Sequence, residues 1–94
     1  MRRAVASEQR VTVEFFGVPR ARAGRAELAV EAATVAEALA AVERACPGLN
    51  GLVRAGKLAP HYLLSINGER FVADGGDALR PGDRVLLLSA DAGG

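Results

Sequence analysis

One thiol and one imidazole, Cys46 and His61, are the only side chains of the kinds that make a Cys/His nucleophile pair. Cys46 closes an apolar stripe of Val35, Leu39, Val42 and Cys46 at i, i+4, i+7 and i+11, and so reads as a small inert core thiol. His61, between Pro60 and Tyr62, reads as a loop residue, because no second or third ligand of matching type lies near it for a metal. Asp74, Asp77 and Asp83 stand among glycines, but their spacing is not that of a calcium loop, and they read as turn formers. No G-x-G-x-x-G or Walker sequence offers a phosphate cradle. Gly48-Leu49-Asn50-Gly51 matches the bare GXXG of an RNA-clamping loop but has no basic residue within it. Arg20, Arg22 and Arg25 form the one local basic cluster, either a solvated loop or a docking patch for an acidic partner surface.

The remaining candidate is backbone. The apolar run RVLLLS is followed at once by Ala90-Asp91-Ala92-Gly93-Gly94. Residues this small cannot pack onto a core, so the tail is either a frayed end or a thin lead that displays the Gly94 carboxylate. Glycines without side chains can thread a narrow channel and place that carboxylate in another protein's active site, where ATP would turn it into an acyl-adenylate. With no phosphate cradle of its own, this chain leaves the ATP to the partner.

The elements that hold such a tail follow from periodicity. Residues 11–16 (VTVEFF) alternate with Val11, Val13 and Phe15 on one face, which predicts a strand with Phe16 on the wetter side. Residues 17–24 (GVPRARAG) hold Pro19 and two glycines and predict a loop, after which Leu28 and Val30 point inward from a second strand over 26–31. The stripe from Val35 to Cys46 predicts a helix over 32–46, opened by a Thr34/Glu37 capping box and closed by Pro47-Gly48. A connection over 49–60 holds at most a short helical turn. Tyr62, Leu64 and Ile66 share one face of a third strand, Asn67-Gly68 signals a hairpin, and 70–72 is the short return. Turns fill 74–83, and residues 84–89 are apolar on both faces, as in a central strand. Strand, strand, helix, strand, short strand, strand predicts an α+β domain of the β-grasp, or ubiquitin-like, kind, with about five strands in a mixed sheet and one main helix across one face. The expected organisation is a leader over 1–10, the domain over 11–89 and a tail over 90–94.

Composition narrows the function classes. The chain has 94 residues, 11 glycines, one cysteine and a formal charge of +1, enough for one small core. A single thiol excludes a disulfide framework and cysteine-ligated clusters. Balanced charge gives no footprint for nucleic acid, and no apolar run suits a membrane span or export signal, so the cytoplasm is the expected location.

Several of these pieces come in an order and spacing found together elsewhere. Residues 13–24 (VEFFGVPRARAG), the capped helix from Thr34, Ile66-Asn67-Gly68-Glu69, residues 79–85 (LRPGDRV) and Asp91-Ala92-Gly93-Gly94 resemble the MoaD/ThiS family of ubiquitin-like sulfur carriers, from about Val11 to the end. The chain most resembles the small subunits of molybdopterin synthase. The resemblance implies a carrier that is not itself an enzyme and binds no cofactor. An adenylating partner related to ubiquitin-activating enzymes would use ATP and Mg to activate Gly94, a persulfide would convert it to a thiocarboxylate, and an acceptor would take the sulfur. The implied acceptor is the molybdopterin synthase large subunit, with a precursor of molybdenum cofactor as substrate. Gly93 and Gly94 are then the reactive terminus. Phe16, Leu86 and Leu88 form the apolar partner surface on the sheet face away from the helix, and Arg20 matches a loop arginine of the family. Ser89-Ala90 departs from the prolines of many relatives, the leader is longer than the family needs, and the 49–60 connection resembles that of carriers serving cysteine biosynthesis. Cysteine or thiamin-type synthesis, or a ubiquitin-like modifier joined to lysines through Gly94, is the alternative.

Overall fold

The computed structural model describes residues 9–54, 57–72 and 74–90. Strand β1 (Arg10–Phe15) pairs antiparallel with β2 (Glu27–Glu31), and between them lies a six-residue helix, α1 (Val18–Ala23). The main helix α2 (Val35–Ala45) runs into a 3-10 turn over Pro47–Leu49, and a two-stranded ribbon follows, β3 (Val53–Arg54) with β4 (Lys57–Leu58). The hairpin β5 (Tyr62–Ile66) and β6 (Arg70–Val72) precedes the last strand, β7 (Arg84–Ser89). The main sheet has the order β2-β1-β7-β5-β6. β7 is central, parallel to β1 on one side and antiparallel to β5 on the other, which is why it is apolar on both faces. This is the expected β-grasp arrangement.

The alternating residues explain the core. Val11, Val13, Phe15, Leu64, Ile66, Val85 and Leu87 turn one sheet face toward the α2 stripe of Val35, Leu39, Val42 and Cys46, and all of these are buried. Burying a side chain of this size contributes about 1.5–3 kcal/mol each before entropy is counted. Helix α2 starts as its sequence demands: Thr34 is extended and its Oγ1 accepts the Glu37 N–H at 3.2 Å. Glu37 reaches back one residue further than a standard capping box, its Oε1 accepting the Ala33 N–H at 2.7 Å rather than that of Thr34. At the hairpin, Asn67 and Gly68 have φ of 56° and 71°, the left-handed pair that their residue types tolerate.

Three expectations are corrected. Residues 18–23 are a helix and not a loop: Pro19 occupies its first turn with φ already set, Arg20, Ala21, Arg22 and Ala23 favour helix, and Gly24 ends it in the left-handed region with its N–H donated to the Arg20 carbonyl. The connection after α2 holds the β3–β4 ribbon beside its 3-10 turn. Strand β1 also begins at Arg10, inside the segment assigned to the leader; Arg10 lies opposite Glu31, and the Gln9 carbonyl accepts the Ala32 N–H. The rest of that leader, residues 1–8, lies outside the described residues.

Candidate functional site

The sheet face turned away from α2 is built by register. Leu86 lies opposite Glu14 of β1 and Ser65 of β5, Ser65 lies opposite Phe71 of β6, and Leu88 lies opposite Leu63. Cross-strand partners point to the same face, so Leu63, Ser65, Phe71, Leu86 and Leu88 form one surface. Phe16, just past β1, donates its N–H to the Leu87 carbonyl at 3.0 Å, which sets it beside the same end of β7. Phe16, Leu63 and Phe71 are 39%, 40% and 68% exposed, large values for side chains of this kind, while Leu86 and Leu88 are half-buried. The face is apolar toward the end of β7 and charged at its start, where Arg84 pairs with Glu14 and Glu27.

The structure thus brings Phe16, Leu86 and Leu88 together, as their alternation predicts, and adds Leu63 and Phe71. Leu63 carried a readable signal, standing between the inward-facing Tyr62 and Leu64. Phe71 did not, because its place depends on being paired with Ser65 across the hairpin. Arg20 is exposed but stands apart from this face, on α1, where it borders a shallow hollow with Gly17, Ala21, Gly24, Arg25 and Ala26. Helix α1 packs against the 3-10 turn and β7. That contact is tight, since a Cβ on Gly48 would stand 2.2 Å from the Arg22 carbonyl oxygen, so glycine is required there by proximity.

At the end of β7, Ser89 lies opposite Tyr62, and the Ala90 N–H donates to the His61 carbonyl at 2.9 Å. The chain therefore leaves the sheet beside Phe16, Leu63 and Leu88. Gly93 and Gly94, the expected reactive terminus, lie outside the described residues.

The side chains weighed for catalysis serve the fold. Cys46 is buried in the core, whereas His61 is exposed, its ring against that of Tyr62 at a centroid distance of 4.3 Å. Asp74 accepts the Gly76 N–H, Asp83 accepts the Arg80 N–H and the Asn67 side-chain amide, and Asp77 lies 4.0 Å from Arg70. These are turn contacts. Among the described residues no group of three or more His, Cys, Asp or Glu could hold a metal ion, and no helix is long and apolar enough to cross a membrane.

Comparison with known proteins agrees with this geometry. A family model described as the ThiS family matches residues 13–94. The HVO 2177 protein of Haloferax volcanii is similar in structure, with a TM-score of 0.78 and 28% identity over 94% of this chain and 89% of that one. SAMP1 from Haloferax volcanii is 31% identical over 90% of this chain and 99% of its own, with a TM-score of 0.74. A chain of the BexX/CysO complex from Amycolatopsis orientalis is 28% identical over 89% of this chain and 99% of its own, with a TM-score of 0.76. A comparison with curated protein sequences returned no match.

Proposed function

The chain belongs to the ThiS family of ubiquitin-like sulfur carriers and modifiers, and from that premise we propose that it carries sulfur on Gly94 as the small subunit of a molybdopterin synthase. Small carriers of this family are generally non-catalytic. The observation that carries the carrier reading is the extent of the family match, which runs through Gly93-Gly94, while the choice of molybdopterin synthase rests on the resemblance of residues 13–24, 66–69 and 79–85. An adenylating partner would use ATP and Mg to convert the Gly94 carboxylate to an acyl-adenylate, with pyrophosphate leaving. A persulfide sulfur would then displace AMP to give an acyl disulfide, and a thiol reductant would cleave its S–S bond, leaving as a disulfide with the donor and freeing the terminus as a thiocarboxylate, a good nucleophile at neutral pH. The carrier supplies delivery and the acceptor supplies the pocket. Phe16, Leu63, Leu86, Leu88 and Phe71 would seat the partner beside the tail, while Arg20, on α1 and apart from this face, would be a separate contact.

Two observations support the alternative of other acceptors. SAMP1 is named a small archaeal modifier protein, and CysO is similar over nearly its whole length. Delivery to cysteine or thiamin-type synthesis, or conjugation of Gly94 to lysines of other proteins, would use the same tail. The test is to delete Gly94, or to add one residue after it, and to follow sulfur transfer with the adenylating partner and the molybdopterin synthase large subunit. Both variants are expected to stay folded and to lose transfer; transfer by either would refute the role of the terminus.

A further inference from the structure

Eleven of the twelve basic residues are arginine, and Lys57 is the sole lysine. An arginine guanidinium stays charged and does not attack acyl groups, whereas a lysine amine does. A chain that carries an activated carboxyl terminus therefore has one side-chain amine able to intercept it. Lys57 is exposed on β4, opposite Arg54 and bridged through its backbone to Asp74, and its ammonium makes no ion pair with a described residue.

The fold sets this amine at the end of the sheet from which the tail leaves. The Tyr62 N–H donates to the Ala59 carbonyl at 3.0 Å, so the chain turns directly from β4 into β5. The ends of such a turn lie within about 7 Å, and Lys57 is two residues, at most about 7 Å, before it. Tyr62 lies opposite Ser89, a separation of about 5 Å across an antiparallel pair. The Lys57 and Ser89 Cα atoms are thus no more than about 19 Å apart. By covalent length alone, the five residues beyond Ser89 reach about 17 Å and the lysine arm about 6 Å more.

Resting on the reading of Gly94 as an activated terminus, we infer that Lys57 is the site at which this chain acylates itself, closing an isopeptide ring with Gly94 whenever no sulfur donor intercepts the acyl-adenylate. In that step the Lys57 ammonium first loses a proton to solvent, the free Nζ attacks the Gly94 acyl carbon, the C–N bond forms, the acyl C–O bond to phosphate breaks, AMP leaves with the electron pair, and the nitrogen gives a second proton to solvent. No oxidant or reductant takes part. Closure within one chain needs no encounter with a second molecule, so the amine meets the terminus at an effective concentration that does not depend on how dilute the protein is. The ring would remove the carrier from the sulfur cycle.

The test separates this step from activation. The full chain is prepared as a C-terminal thioester by intein cleavage with a small thiol, so that no partner is needed, and is incubated alone beside its Lys57→Arg variant. The expected product has lost the thiol, has the mass of the free acid less one water, and yields a branched tryptic peptide joining Lys57 to residues 85–94. In Lys57→Arg that product falls by at least about tenfold. Hydrolysis alone, a two-chain product, or a link to the α-amine would each overturn the inference. In a parallel reaction with ATP, Mg and the adenylating partner but no sulfur donor, release of pyrophosphate without the ring also overturns it. A thioester that closes while the partner releases no pyrophosphate leaves the inference standing and refutes the activation of Gly94.

Discussion

Strand β7 presents two kinds of surface that differ in what covers them. Val85 and Leu87 are fully buried against the sheet and α2, while Leu86 and Leu88, their immediate neighbours, are half-buried beside exposed Phe16, Leu63 and Phe71. The residue types on the two faces are alike, so hydrophobicity does not separate the core from the outer patch. The difference is one helix. α2 closes the first face, and nothing among the described residues closes the second, whose apolar end borders the point where the tail departs. This open apolar face is the surface that the proposed partner would cover.

Breaking the covered face has the largest effect. Leu87→Ala removes a fully buried side chain between β1 and β5 and should cost about 2–5 kcal/mol, a large part of the stability of a domain this size. Chemical denaturation reads it as a lower midpoint, and a loss under about 1 kcal/mol would mean that the face is not sealed as described. Leu88→Asp sharpens the comparison from the other side. It should cost about 1 kcal/mol or less in the same titration while weakening binding to the adenylating partner or the sulfur acceptor by at least tenfold, about 1.4 kcal/mol. Collapse of the fold would instead place Leu88 in the core.

How much of this was legible in the sequence depends on the range over which each signal acts. Alternation in β1 and β5 and the four-residue stripe of α2 are local, and they gave the core faces residue by residue. Helix α1 was hidden because its six residues, flanked by Gly17 and Gly24, are too few to display a helical period, and its packing rests on the approach of Gly48 to the Arg22 carbonyl, 26 residues apart in sequence. The β3–β4 ribbon, two residues on each side, shows no alternation at all. Phe16, Leu86 and Leu88 were legible as an outward set, and Leu63 as outward-facing by alternation, but the place of Leu63 beside Leu88 and that of Phe71 beside Ser65 come only from the β5–β7 and β5–β6 registers, which no short window contains. The tail speaks through residue type alone: glycines that leave room for a channel, next to a strand whose position the sheet fixes.

The central claim is that sulfur is carried at Gly94. It is tested most directly by the intact mass of the protein after incubation with its adenylating partner, ATP, Mg, a persulfide donor and a thiol reductant. The account predicts a gain corresponding to one oxygen replaced by sulfur, located in the C-terminal peptide and absent when Gly94 is deleted. An unchanged mass in the presence of pyrophosphate release, or a gain located at Cys46, would contradict it.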